Sequence, residues 1–123
     1  MEQNKGQSYV GTVADHRQKK GWFFGAFMDN GLLRSEDVEV AWQLIGDLEP
    51  SPDQAHYHER SVEINVLIRG RMLLKIDGRP YEIDAGDFYI IWPGSVVSDI
   101  STSSDAEIIV VRAPSAPGDK VPV

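Results

Sequence analysis

The chain has no cysteine, which excludes a disulfide framework and any thiolate metal site. It has no long apolar run either. Its longest apolar stretches hold only a few residues, far short of the roughly 20 needed for a helix to cross a bilayer, so no membrane partner is expected. The opening residues, MEQNKGQSYVGTVADHRQKKG, lack the apolar stretch of a secretory signal, and a cytoplasmic location is the expectation. Positive charge is scarce: 12 Lys and Arg stand against 19 Asp and Glu, a net charge of −7. The deficit lies in the body, because residues 1–20 carry four basic side chains and two acidic ones. An acidic body lacks the basic face that a phosphate backbone requires, so no nucleic-acid partner is expected. The short run Arg17-Gln18-Lys19-Lys20 reads as a solvated edge or linker. No phosphate-cradling glycine loop, Ser-His-Asp pattern or amphipathic helix is evident.

What remains is the texture of a small all-β protein. At 123 residues there is room for one domain and one core. The expected organisation is a polar arm over 1–20, a strand-rich body over 21–113 and a Pro/Gly-rich tail over 114–123. Within the body, Trp22 to Met28 forms a first apolar run. Val38, Val40, Trp42 and Leu44 alternate with Glu39, Ala41, Gln43 and Ile45, the period of a strand with one buried face. Residues 46–53 read as a loop. Further strands are expected at 55–58, 62–68, around Met72, Leu74 and Ile76, at 81–83, 88–92, 96–100 and 108–111. Asp77-Gly78 is a strong hairpin signal. The tail from Pro114 to Asp119 is not expected to continue a sheet, since proline lacks the ladder donor. Eight or more short strands and no helical period point to a sandwich or barrel.

The chemistry concentrates in His56-Tyr57-His58-Glu59-Arg60-Ser61-Val62-Glu63. In a strand, residues i and i+2 share a face about 6.5–7 Å apart, so the two imidazoles can aim at one point or stand together on a solvent face. Glu63 has the wrong parity for one uninterrupted strand; it joins them only if the chain turns near Arg60-Ser61 and brings it in from a neighbouring strand. Two imidazoles and a carboxylate suit Fe, Mn, Ni, Co, Cu or Zn without selecting among them.

This stretch resembles the first motif of the cupin superfamily, Gly-x5-His-x-His-x(3–4)-Glu-x6-Gly, as His56-x-His58-x4-Glu63-x6-Gly70. The leading glycine is absent, its place falling in Pro50-Ser51-Pro52. The second motif, Gly-x5-Pro-x-Gly-x2-His-x3-Asn, is met in part: Gly86 and Gly94 are present, Trp92 stands for the proline, and the usual His and Asn fall on Val97 and Ser101. The resemblance spans about residues 37–113 and implies a single-domain, all-β, jelly-roll barrel (a double-stranded β-helix). It also implies a divalent transition metal held by His56, His58 and Glu63. Valine donates nothing to a metal, so either the ion keeps two His, one carboxylate and extra open positions, or the site is degenerate and metal-free. Ser98 or Asp99 could supply an oxygen if a bulge shifted the register.

Around that centre, Trp42 is expected as an apolar wall of the ligand pocket, Asn65 as an inward group sharing parity with Glu63 that orients a ligand or bonds to a neighbouring backbone, and Glu59 as a substrate contact at the barrel mouth or a solvated surface charge. Trp92 and Tyr89 read as packing residues. If Glu63, Asn65 and Leu67 face inward, then Val62, Ile64, Val66 and Ile68 face outward and need cover. The N-terminal strands or a second subunit would supply it, and a homodimer is the expectation. Functionally, the sequence points to a cupin acting on a small organic molecule (a sugar, keto acid or aromatic acid) as a metal-dependent oxygenase or isomerase. The alternative is a non-catalytic small-ligand binder with a degenerate or metal-free site. A metal-free isomerase using His56 or His58 as base would need an orienting acid that the spacing does not reveal.

Overall fold

The structure, a computed structural model, describes residues 4–44 and 55–123; the loop expected at 46–53 and the position of the missing motif glycine lie outside them. A short 3-10 helix, Val13–Lys19, opens the described body. Ten strands follow: β1 Trp22–Phe24, β2 Glu39–Leu44, β3 His56–His58, β4 Val62–Arg69, β5 Arg71–Ile76, β6 Arg79–Asp84, β7 Phe88–Ile91, β8 Val97–Thr102, β9 Glu107–Ala113 and β10 Lys120–Pro122. They form two five-stranded antiparallel sheets, ordered β1-β2-β9-β4-β7 and β10-β3-β8-β5-β6. The core joins Ala41, Leu67, Ile91, Ile108 and Val110 of the first sheet to Met72, Leu74, Ile83 and Val97 of the second. Face-to-face packing with short connections is the jelly-roll solution for strands that bury one face each.

Turn chemistry sets the registers. Asp77 and Gly78 both have positive φ, 51° and 82°, as a two-residue hairpin of the primed type requires. Gly70, the last residue of the first motif, has φ 85°, and a Cβ there would lie 2.4 Å from Ser103 Oγ and 2.8 Å from Ala106 Cα. Only glycine lets the β4–β5 corner approach that loop so closely.

Two expectations need correction. In β2 the inward residues are Glu39 and Ala41, both buried, whereas Trp42 and Leu44 point outward and are 36% and 39% exposed. The alternation was real, but the polar stripe faces the interior. Trp42 therefore lies outside the barrel, its indole Nε1 donating to Glu107 Oε1 at 2.9 Å, and is no wall of the interior. Trp92, read as a packing residue, is 67% exposed. At the tail, 114–119 carry no strand, as expected, yet the chain resumes pairing as β10 on the free edge of β3. Pro122 sits in that edge strand, where a missing donor is tolerated.

Candidate functional site

In the first sheet, register places inward residues in rows. Glu39 pairs with Arg112, and Arg112 with Glu63; Glu63 pairs in turn with Ile91. A Glu–Arg–Glu row thus runs across three strands. The next row inward runs Ala41, Val110, Asn65, Tyr89. Facing the polar row from the opposite sheet are His56 and His58, both buried, with Tyr57 turned the other way. Glu63 thus comes from the facing sheet and not from a strand beside β3: the bend at Glu59–Arg60 carries the chain from one sheet to the other.

The row is tightly paired. Arg112 Nε donates to Glu63 Oε2 at 2.6 Å, and Asn65 Nδ2 to Glu63 Oε1 at 3.1 Å. Arg112 also reaches Glu39 Oε2 at 3.4 Å, and Ser115 Oγ donates to Glu39 Oε1 at 3.0 Å. The Trp22 ring lies 4.8 Å from the Arg112 guanidinium carbon, close enough for a cation–π contact. Burial would raise the pKa of Glu63, but the close His58 ring and the Arg112 guanidinium outweigh it and hold the carboxyl far below the usual range. Tyr89 responds in the opposite sense: burial pushes its hydroxyl up, and the Glu63 charge adds to the shift.

His58 is 2% exposed and has a carboxylate on either side. Its Nε2 lies 3.2 Å from Glu63 Oε2 and its Nδ1 3.9 Å from Asp119 Oδ2. Both contacts suit a charge interaction, but neither nitrogen has a hydrogen bond of good geometry. A buried polar group in that condition is uncommon and points to function. Asp119 is itself fixed, accepting from the backbone N–H of Arg60 at 3.0 Å and of Ser61 at 2.9 Å. These bonds outweigh the cost of its desolvation and lower its pKa. The β3 end is pinned from its other side by Gly94 N–H, which donates to the His58 carbonyl at 2.9 Å.

The residues expected from sequence divide as follows. His58, Glu63 and Asn65 come together, and His56 joins them through His58, the two imidazole centroids 5.6 Å apart with rings nearly perpendicular. Glu59 is exposed in the bend. Asp99 is on the surface, paired with Lys75 at 3.1 Å, and does not reach the centre. Val97 is buried and in register with His56, so an apolar group stands directly beside that imidazole. Arg112, Glu39 and Asp119 were not singled out. Arg112 and Glu39 carried a signal, since they share parity with Val110 and Ala41; Asp119 carried none, because it arrives through a return of the chain end.

Among the described residues, no three His, Asp or Glu side chains converge as a metal-binding group. The donor types suit a transition metal, but their surroundings do not. A metal–oxygen or metal–nitrogen bond is about 2.0–2.2 Å long, and an ion on Glu63 Oε2 would share that oxygen with a guanidinium nitrogen 2.6 Å away. Like unit charges about 4 Å apart repel by about 4 kcal/mol at an effective dielectric of about 20, and a divalent ion about doubles that. The set as it stands does not fit a metal ion.

A family model described as a cupin domain matches residues 45–112. No match was found among curated proteins. Several solved structures share the fold. An uncharacterized conserved protein with a double-stranded β-helix domain from Klebsiella pneumoniae is 20% identical, with a TM-score of 0.60 over 95% of this chain and 98% of that one. Pac13 of Streptomyces, described as a nucleoside dehydratase, is 15% identical, with a TM-score of 0.57 over 95% and 92%. KdgF from Halomonas sp. is also 15% identical, with a TM-score of 0.57 over 68% and 74%.

Proposed function

The chain belongs to the cupin family, and from that premise we propose that it takes a small polar organic molecule at the His56–His58 end of the barrel and exchanges a proton with it through His58. The observation that carries this reading is the ring of His58, buried between Glu63 and Asp119 with neither nitrogen in a well-formed hydrogen bond. Imidazole can carry a proton on either nitrogen, and a molecule that displaced the Glu63 contact at Nε2 would meet a nitrogen able to give or take one. Asp119, with Oδ2 3.9 Å from Nδ1, is our candidate for the orienting acid that the spacing does not reveal. Of the two cofactor states expected there, metal-loaded and metal-free, the second is the one we propose. A substituted form of Pac13, similar in fold, was solved with uridine, which supports including nucleosides with sugars, keto acids and aromatic acids among the molecules to test.

The roles divide by geometry. His58 moves the proton. Asp119, anchored on two backbone amides, places its charge on the Nδ1 side of the ring. Glu63, fixed by Arg112 and Asn65, holds negative charge beside Nε2. The apolar surroundings, Val97 and Ile91 among them, reduce the local dielectric and strengthen each of these interactions.

The test is a ligand screen by NMR line broadening with chelator present, followed by solvent deuterium exchange into whatever binds. The expected result is exchange that falls at least a hundredfold in His58→Ala, in line with the usual contribution of a general acid or base. Exchange unchanged in that variant, or exchange only on addition of metal, would overturn the assignment. Binding without any exchange would favour the non-catalytic binder.

We also propose a homodimer through the outer face of the first sheet. Two apolar rows cross it in register: Val40, Val111, Ile64 and Ile90, then Trp42, Ile109, Val66 and Phe88. Phe88 is 65% exposed. The N-terminal strand β1 pairs at the β2 edge, and among the described residues Ile64, Val66, Phe88 and Ile90 stay exposed, so of the two covers expected from sequence we propose the second subunit.

A further inference from the structure

We propose that Arg112 is a resident cation that keeps divalent metal ions out of the His56–His58–Glu63 centre, so that one substitution would open it to metal. The inference rests on the metal-independent reading above and gives it a specific cause. Three observations support it. The donor types are present and adjacent: both imidazoles are buried on the inward side of β3 with ring centroids 5.6 Å apart, and Glu63 Oε2 lies 3.2 Å from His58 Nε2. The same oxygen already bears a positive partner, Arg112 Nε at 2.6 Å. That charge cannot easily swing away. Its strand register sets it between two glutamates, Ser115 ties Glu39 in place, and the Trp22 ring packs against its guanidinium.

Val97 removes one possible ligand beside His56, but two imidazoles and a carboxylate with open positions are a competent set for a first-row transition metal. The apolar replacement therefore does not account for exclusion by itself, whereas a guanidinium on the only carboxylate of the set does. Because Arg112 is fixed by backbone register as well as by its side-chain partners, its charge is part of the folded state and not an adjustable surface pairing.

Cobalt(II) titration of tag-free, chelator-stripped protein tests this, read by visible d–d absorption and equilibrium dialysis. Wild type should bind no stoichiometric cobalt. Arg112→Gln and Arg112→Met should each bind one equivalent, at least tenfold more tightly than wild type, and lose it when His58→Ala is added. Arg112→Lys keeps the charge and should behave like wild type. The proposal fails if wild type binds cobalt as tightly as Arg112→Gln, if the neutral variants melt cooperatively yet bind no better than wild type, or if Arg112→Lys binds like Arg112→Gln. Should neither neutral variant fold, manganese(II) broadening of the His58 ring signals in wild type decides it: selective broadening at micromolar metal overturns the proposal, and its absence supports it. None of these readouts involves an organic ligand. Failure here leaves the deuterium-exchange result standing, and failure of exchange leaves the metal result standing.

Discussion

At the scale of single residues, the centre is a set of buried charges that satisfy one another. Glu63 carries the largest electrostatic consequence. Its pKa in the folded protein lies below the ordinary glutamate value, so the unfolded chain binds the proton more readily. Its stabilising contribution is complete above the unfolded value, about 4.3, and is lost as pH falls through the folded one. Asp119 acts in the same direction. Thermal melts should therefore show stability declining below about pH 4.5, and Glu63→Gln should flatten that acid limb while lowering stability at neutral pH, because Arg112 loses its partner. An acid limb unchanged in the variant would show that Glu63 is not the linked group. Much of this cluster could be read in the sequence. The His-x-His pair and Glu63 were legible because strand parity and motif spacing are local properties. Arg112 was not, because a lone arginine closing an apolar run looks like a strand end. Only the inward parity of Ile108 and Val110 shows that it must point into the barrel.

At the scale of elements, the same sequence rules succeeded and failed for one reason. Alternation, Asp77-Gly78 and the glycine-bounded corners located nearly every strand, since each depends on neighbours a few residues apart. The facing of β2 was misread because parity alone cannot tell which stripe is inside. Its apolar stripe, Val40, Trp42 and Leu44, forms part of the outer face, while its inner stripe carries Glu39 for the charged row. The contribution of the chain end was invisible for a different reason: β10 meets β3 across more than sixty intervening residues. That contact is testable. Asp119→Ala leaves the N–H groups of Arg60 and Ser61 without their acceptor, and an unsatisfied buried donor costs about 1–3 kcal/mol. Asp119→Asn keeps one acceptor oxygen and should lose less. Denaturant titrations should rank wild type above Asn above Ala; equal midpoints for all three would show that β10 does not hold the bend.

At the scale of the whole molecule, polarity is partly inverted: charged groups line one end of the interior, and apolar rows cover an outer sheet face. Full burial of an apolar side chain contributes about 1.5–3 kcal/mol, so a two-fold contact through these rows is well supplied. Sedimentation at micromolar concentration should show a dimer, and Val66→Lys at the centre of the face should weaken it at least tenfold. A clean wild-type monomer would refute that assembly while leaving the interior site untouched.

The central claim is that the cation at this centre belongs to the protein itself. A crystal of the wild-type chain grown in excess manganese(II), with data collected for anomalous scattering, tests it most directly. The account predicts the Arg112 guanidinium against Glu63 and no anomalous peak between that carboxylate and His58. A peak bonded to His56, His58 and Glu63, with Arg112 turned aside, would contradict it.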